Sequence, residues 1–115
     1  MQVKHLREAK PYEAPNHRGY CSLRLFGLDA GGPKQFTVGL SHFLPGGGAG
    51  PDSSPLEKVY IVLAGTLTIR VNEREWTLGE LDSCCIPGGE VREIKNLGNR
   101  VATMIVVMPY PEAAK

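Results

Sequence analysis

Two residues of an apolar run stand where strand geometry would place their side chains together. Lys58 and Tyr60 are two positions apart, so in a β-strand both side chains point to the same face. A lysine whose pKa is lowered by burial can act as a base or an amine nucleophile, and a tyrosine hydroxyl can supply a proton. The spacing makes Lys58 and Tyr60 candidate catalytic residues, although Tyr60 also fits a core aromatic residue with a hydrogen-bonded hydroxyl.

The cysteines and histidines offer a second set of reactive side chains. Cys84 and Cys85 are neighbours, so strand alternation places one of them inside the fold, where a thiol is either an apolar filler or a nucleophile. His42 shares an apolar strand face with Val38 and Leu40, as a core or rim histidine does. We predict that His42 and Cys85 contribute to a site by binding a ligand or by supplying a proton.

Short strands joined by tight turns must position these residues. The chain holds 14 glycines and 9 prolines, which leave little room for long helices. No window shows a convincing helical stripe, whereas short alternating or apolar runs recur along the chain. The predicted strands cover residues 36–44, 59–63, 66–71, 75–78, 83–86, 91–95 and 101–108, and the glycine-rich segment 45–50 is a predicted turn. This pattern predicts an all-β fold, either an antiparallel barrel or a double-sheet jelly roll.

Length and charge exclude several classes of function. At 115 residues the chain has room for one domain. Thirteen basic and twelve acidic side chains give a formal charge of +1, which lacks the basic excess that nucleic-acid binding uses. No apolar run approaches the length of about 20 residues that spans a bilayer, and the charged amino terminus is unlike a signal peptide. Three cysteines, two of them adjacent, make a poor disulfide framework and favour reduced thiols in the cytoplasm.

Two of the predicted strands, 59–63 and 101–108, are apolar on both faces. In an antiparallel sheet one face normally meets water, so burial of both faces requires another covering surface. A homodimer that packs sheet against sheet would supply that surface. The alternative is that loops or the amino-terminal segment cover the same face.

Two motifs frame these strands. The stretch Leu44-Pro-Gly-Gly-Gly-Ala-Gly-Pro51, followed by Glu57-Lys-Val-Tyr-Ile-Val-Leu-Ala-Gly65, resembles the first motif of the cupin superfamily. The second motif is recognisable in Leu78-Gly79, Asp82, Ile86-Pro87, Gly89 and Asn96. The resemblance covers about residues 36–109 and implies an antiparallel cupin-type double-stranded β-helix, often dimeric, with a ligand site inside one end. It divides the chain into an amino-terminal arm with edge strands at 1–35, a barrel core at 36–109 and a tail at 110–115.

The positions that hold a metal in most cupins carry other residues here. Laid onto the family pattern, Asp52 and Ser54 stand at the two histidines of the first motif. The glutamate position carries Lys58, and the histidine position of the second motif carries Arg92. Lysine and arginine are protonated donors without a free lone pair, so neither competes for a metal. We therefore predict a barrel without a metal or other cofactor, with a rebuilt metal site of His42, Asp52 and a cysteine as the alternative.

These replacements imply a different ligand. Together Asp52, Lys58 and Arg92 carry a charge of +1, as a divalent metal with one carboxylate does. Arginine can bind a carboxylate through two parallel hydrogen bonds, while lysine acts as a point charge. We predict a pocket for a small anionic metabolite, suited to a lyase, isomerase or decarboxylase. Its predicted binding residues are Asp52, Ser54, Arg92, His42 and Cys85, and its predicted catalytic residues are Lys58, Tyr60 and Arg92.

Two further interpretations of the same residues are open. Lys58 and Arg92 can pair with Asp52, which would fill the site with salt bridges and leave no pocket. The barrel can also be a non-catalytic module that binds a metabolite or supports a partner enzyme. Both an enzyme and a binding module are compatible with these residues.

Overall fold

The computed structural model describes residues 1–111, and strands make up most of that part of the chain. The strands are β1 (Lys10–Tyr12), β2 (His17–Phe26), β3 (Phe36–Asp52), β4 (Lys58–Ala64), β5 (Leu67–Val71), β6 (Arg74–Leu78), β7 (Ser83–Ile86), β8 (Arg92–Lys95) and β9 (Ala102–Pro109). Every pairing between them is antiparallel, which confirms the predicted all-β antiparallel fold. The helical segments within residues 1–111 are the short 3₁₀ turns Leu6–Glu8 and Leu28–Ala30, and neither could cross a membrane.

The long strand β3 joins the two halves of the barrel. Residues 36–43 of β3 pair with β9, whereas residues 48–52 pair with β8. The hydrogen-bonded order of the strands is β6-β5-β8-β3-β9-β4-β7, and β2 pairs with β3 on its other side. Because β8 and β4 are separated by β3 and β9 in this order, their side chains can meet only across the interior.

The glycine-rich segment that we predicted as a turn is part of β3. The backbone N–H of Gly46 donates to the Asn96 carbonyl, and the Asn96 N–H donates to the Gly47 carbonyl, both at 2.9 Å. A side chain at Gly47 would collide with the Gly19 carbonyl, and one at Gly48 would collide with the Ile94 carbonyl. The glycines therefore permit close approach of neighbouring strands, and the predicted strand 36–44 ended too early.

An apolar core fills one end of the interior. Its buried members include Phe43 on β3, Val62 on β4 and Met104 on β9, together with Leu67, Ile69, Ile86, Ile94 and Ala102. The side-chain amide of Asn96 donates to the carbonyls of Phe43 and Arg100 at 2.9 and 2.8 Å, which ties a loop to this end. Further along the same strands, the inward positions become polar and charged.

The amino-terminal residues extend the barrel. The hydroxyls of Ser22 on β2 and Ser41 on β3 lie 2.8 Å apart on the inner face, and β1 pairs with the outer edge of β2. Near the other terminus, the Tyr110 N–H donates to the Gln35 carbonyl at 3.1 Å and its hydroxyl donates to the Pro33 carbonyl at 2.7 Å. Residues 112–115 of the predicted tail lie outside the described part of the chain.

Candidate functional site

A cavity of about 280 Å³ opens at the polar end of the barrel. Five residues that the sequence singled out line it, namely Asp52, Ser54, Lys58, Tyr60 and Arg92. The remaining wall consists of residues 12–15 from β1 and the β1–β2 loop, His17 and Arg24 from β2, Ser53 after β3, and inward residues of β3, β8 and β9. The structure thus brings all three predicted catalytic residues and three of the five predicted binding residues into one space.

Lys58 begins β4, and its side chain is buried with 6% of the residue exposed. Its Nζ donates a hydrogen bond of 3.2 Å to the Ser54 hydroxyl. Burial lowers the pKa of the Lys58 amine, the Arg92 guanidinium lowers it further, and the Asp52 carboxylate opposes both effects. Lys58 is therefore a buried amine that loses its proton more readily than an exposed lysine.

Arg92 begins β8 and is 8% exposed. Its Nε donates a hydrogen bond of 2.8 Å to the Tyr60 hydroxyl on the opposite wall. Its Nη1 is buried and has no hydrogen-bond partner among residues 1–111. Buried polar groups are normally hydrogen-bonded, so the guanidinium retains binding capacity that the protein does not use.

Tyr60 is 2% exposed and lies between the core and the cavity. Burial raises the pKa of its hydroxyl, although the charge and hydrogen bond of Arg92 act in the opposite direction. The phenol therefore stays protonated at neutral pH. It accepts a hydrogen bond from Arg92 and still has its own proton to donate.

The cationic side chains of this cavity form no direct ion pair with the nearby carboxylate. Among residues 1–111 the ion pairs are Arg18–Glu93 and Lys95–Glu93, with closest N–O distances of 3.9 and 3.8 Å. Asp52 lies opposite Arg92 in the β3–β8 register, but its Oδ1 accepts a hydrogen bond from the backbone of Ser53 at 2.8 Å. The alternative in which salt bridges fill the site is therefore wrong for the described structure.

His17 is a cavity residue that the sequence analysis did not select. It is the first residue of β2, and its Nδ1 lies 2.7 Å from the Pro15 carbonyl oxygen. Its ring packs against Phe43 and Tyr20, with centroid distances of 6.0 and 5.0 Å. The pKa of His17 is lowered mainly by burial, the nearby cations Arg92 and Arg18 lower it too, and the Pro15 carbonyl and Asp52 raise it.

Tyr12 and Arg24 close a further side of the cavity. The Arg24 guanidinium stacks on the Tyr12 ring with its carbon 3.9 Å from the ring centroid, a cation–π contact. A side chain at Gly39 would come within 2.7 Å of the Tyr12 hydroxyl, so this glycine makes room for the ring. Together with Glu13 they form a wall that the family motifs do not include.

His42 and Cys85 require a correction, because neither lines the cavity. His42 lies opposite Thr103 in the β3–β9 register, and its Nδ1 is 2.9 Å from the Thr103 hydroxyl. Its strand neighbours Ser41 and Phe43 face the interior, so alternation turns His42 to the outer face. Cys85 pairs with Val59 and is exposed, whereas its neighbour Cys84 packs against the core.

The donor set of the cavity does not fit the divalent metal that the family resemblance would imply. Lys58 and Arg92 occupy two of the four ligand positions, and their protonated nitrogens have no lone pair to offer. No three side chains of His, Cys, Asp or Glu lie close enough to hold a metal ion within residues 1–111. The rebuilt site of His42, Asp52 and a cysteine also fails, because His42 faces away from the cavity.

The sequence of this chain is similar to known proteins over most of its length. The family model described as Cupin domain matches residues 39–108. A protein from Mycobacterium tuberculosis named beta-D-galactosidase is 40% identical over 113 residues, which cover 98% of this chain and 97% of that protein.

Solved structures share the fold at lower identity. The polyketide cyclase RemF from Streptomyces resistomycificus matches with a TM-score of 0.84 and 20% identity, over 95% of this chain and 79% of that one. A sugar phosphate isomerase from a cupin superfamily, from Silicibacter pomeroyi, matches with a TM-score of 0.81 and 24% identity, over 96% of this chain and 76% of that one. A predicted oxalate decarboxylase from Thermotoga maritima matches with a TM-score of 0.79 and 22% identity, over 96% of this chain and 100% of that one. These likenesses concern the fold alone, and they confirm the predicted jelly-roll barrel.

Proposed function

This chain belongs to the cupin superfamily, and from that premise we propose that its barrel binds a small carboxylate-bearing metabolite and moves a proton on it. The substrate class is a small acid with a carbonyl group next to an acidic C–H, as in an oxo acid or a sugar acid. The reaction class is an isomerase or lyase reaction.

The observation that carries this proposal is a pair of buried cations in one cavity that form no direct ion pair with a carboxylate of the described residues. Lys58 and Arg92 are each less than a tenth exposed, and neither forms an ion pair among residues 1–111. Burying a charge without a partner costs free energy, which a bound anion would recover. Arg92 supplies the planar donor that suits a carboxylate, and Lys58 supplies a second positive charge.

The neighbouring groups support proton transfer on such a ligand. The two cations favour the negative charge that develops when a carbon next to a carbonyl loses its proton. Tyr60 stays protonated and lines the same cavity, so it can donate a hydrogen bond or a proton to the carbonyl oxygen. Lys58 can exchange a proton as well, because burial lowers its pKa.

Binding and proton exchange can be tested with two probes, pyruvate and D-galacturonate. We expect both the wild-type protein and an Arg100→Met control, changed at an exposed position, to bind at least one probe. In D₂O, nuclear magnetic resonance should then show loss of a C–H signal of the bound probe as deuterium replaces hydrogen. Arg92→Met should weaken binding about tenfold to hundredfold and reduce the exchange with it. Exchange at the wild-type rate by folded Arg92→Met and Lys58→Met would contradict the assignment, and binding without exchange would favour a non-catalytic module.

A second candidate function is hydrolysis of a β-galactoside. The relative that is 40% identical is named beta-D-galactosidase, and two carboxylates, Glu13 and Asp52, line the cavity. Glycoside hydrolysis generally uses a pair of carboxyl groups as acid and as base or nucleophile. This function predicts release of nitrophenol from nitrophenyl β-D-galactoside, and loss of that release in Asp52→Asn and Glu13→Gln. Unchanged release by both variants would exclude this carboxylate pair.

A further inference from the structure

We propose that His17 is the catalytic base that removes the proton from the bound acid. The inference rests on the proposed proton-transfer function and adds a residue outside both family motifs. Arg92 and Lys58 hold the anion and Tyr60 holds a proton, so the cavity requires a separate group with a free lone pair. His17 and the carboxylates Glu13 and Asp52 line it, and we assign the base to His17 because its contact with Pro15 leaves one ring nitrogen bare.

The contact with Pro15 fixes which nitrogen of His17 carries the hydrogen. Nδ1 lies 2.7 Å from the Pro15 carbonyl oxygen, and a carbonyl oxygen can only accept a hydrogen bond. Nδ1 must therefore carry the N–H, which leaves Nε2 as an unprotonated acceptor in the neutral ring. A backbone carbonyl that orients an imidazole in this way is a common support for histidine acting as a base.

Packing holds the ring in one orientation at the cavity wall. His17 lies opposite Ala49 in the β2–β3 register, close to the point where β3 changes partner from β9 to β8. The ring is nearly parallel to that of Phe43, with 21° between the planes, and it contacts Tyr20 on another side. A base positioned in this way loses little orientational freedom when the substrate binds.

Burial, helped by two nearby cations, keeps the ring of His17 neutral at neutral pH. Burial is the largest cause of its lowered pKa, and Arg92 and Arg18 act in the same direction. Asp52 and the Pro15 carbonyl oppose them, and the carboxylate is placed to stabilise the imidazolium once a proton has been taken. His17 and Tyr60 therefore have opposite roles, since one is an unprotonated acceptor and the other a protonated donor.

The proton balance of the step is simple. The C–H bond next to the carbonyl breaks, its proton passes to Nε2 of His17, and its electron pair enters the carbonyl group to form an enolate. The enolate oxygen is stabilised by Lys58, Arg92 and the Tyr60 hydroxyl. The imidazolium then returns the proton to the same carbon. Where that carbon bears a hydroxyl, the proton can instead go to the former carbonyl carbon while the hydroxyl proton passes to the enolate oxygen, so no oxidant, reductant or second substrate is consumed.

The first test measures the tautomer of His17 directly in the wild-type protein without ligand. Two-bond ¹H–¹⁵N spectra at neutral pH should show a hydrogen on Nδ1 and a bare Nε2. A hydrogen on Nε2, or a doubly protonated ring, would overturn the inference whatever the protein binds.

The second test compares His17→Gln with His42→Gln, which removes a histidine on the outer face. With pyruvate or D-galacturonate as the probe, we expect His17→Gln to retain binding and to lose deuterium exchange by about a hundredfold or more. His42→Gln should exchange at the wild-type rate. Wild-type exchange by His17→Gln, or loss of binding by it, would overturn the base role alone. No exchange by the wild-type protein with either probe would contradict the proposed function and the base role together.

Discussion

The side chains of Arg92 and Tyr60 meet across the barrel, where Arg92 Nε donates a hydrogen bond of 2.8 Å to Tyr60 Oη. The strands that carry them, β8 and β4, are separated by β3 and β9 in the sheet order, so the bond joins opposite walls. It uses one of the five N–H groups of the guanidinium and leaves the buried Nη1 without a partner in residues 1–111. The predictions that follow concern what this arrangement binds and what holds it in place.

Replacing Arg92 should separate the effect of charge from the effect of geometry. Arg92→Met removes both, and we expect a tenfold to hundredfold loss of carboxylate affinity, which corresponds to about 1.5–3 kcal/mol for hydrogen bonds to a charged group. Arg92→Lys keeps the charge but loses the planar pair of N–H donors and the hydrogen bond to Tyr60, so it should restore only part of the affinity. Titration calorimetry with pyruvate or D-galacturonate measures both variants. Full affinity in Arg92→Lys would show that carboxylate binding depends on the charge alone and not on the geometry of the guanidinium.

Replacing Lys58 should stabilise the fold while weakening the site. Lys58 is buried without an ion pair in the described residues, so Lys58→Met removes a buried charge that is only partly compensated and should raise the free energy of unfolding by about 1 kcal/mol. Urea unfolding at neutral pH is the measurement. Lys34→Met, at an exposed position, should change stability by less than about 0.5 kcal/mol. A destabilised Lys58→Met would argue that the lysine is structurally required.

The pH dependence of the Lys58 effect has a definite sign. The folded-state pKa of Lys58 is lowered from its ordinary value of 10.5, so the unfolded chain binds this proton more readily than the folded chain. Wild-type stability should therefore rise relative to Lys58→Met as pH increases through the folded pKa towards 10.5. Below the folded pKa, Lys58→Met should keep its full advantage over the wild type in free energy of unfolding. A difference that stays constant up to that pH would mean that Lys58 is not desolvated.

A side chain at Gly50 should collide with Arg92 and displace it. Gly50 has a φ of +82°, and a Cβ there would lie 2.5 Å from the Arg92 carbonyl oxygen and 2.9 Å from Arg92 Nη1. Gly50→Ala should therefore lower the free energy of unfolding by about 1–2 kcal/mol, because alanine is strained at this φ. The added Cβ should also displace the Arg92 guanidinium. Unfolding midpoints and carboxylate affinity are the two measurements.

Gly46 provides the matched control for this substitution. Its φ is +83°, and a Cβ there meets nothing within 4 Å. Gly46→Ala should show the backbone cost alone, with unchanged affinity for the carboxylate. Equal losses of stability and affinity in the two variants would contradict a contact between Gly50 and Arg92.

We propose that the outer face formed by β4 and β9 is covered by a second copy of the chain. Val59 and Leu63 are each 37% exposed on this strand pair, while Ile61, Ile105 and Val107 beside them are half-buried. Sedimentation of the wild-type protein should give the mass of a dimer. Val59→Asp should shift it to monomer by placing a charge in the interface, whereas Leu97→Asp in an exposed loop should not. A wild-type monomer at high concentration would exclude this interface.

Strand periodicity predicted most of the fold. The strands from β3 to β9 occur where short alternating or apolar runs stand in the sequence, because each buries one face or both. The resemblance placed edge strands within residues 1–35, but periodicity set no bounds for β2 there. Its pairing register shifts between Arg18 and Tyr20, and polar residues occur on both of its faces, so no single alternation marks it.

The sequence predicted only those residues of the candidate site that lie within the family motifs. Alternation together with the resemblance located Lys58, Tyr60 and Arg92 in one cavity, and no local pattern pointed to His17. His17 enters the cavity through the pairing of β2 with β3, a contact between residues far apart in sequence. The position of Cys84 could have been inferred, since it shares strand parity with Ile86, which is buried opposite Lys58.

The central claim, that this cavity binds a small carboxylate through Arg92 and Lys58, is tested most directly by paired ligands that differ in one charge. Calorimetry should compare pyruvate with pyruvamide and D-galacturonate with D-galactose on the wild-type protein. We predict that the carboxylate binds more tightly in every pair that binds at all, and that its addition moves the resonance of the Arg92 Nε–H group. Equal or tighter binding of the uncharged partner, or no binding of either acid, would contradict the account.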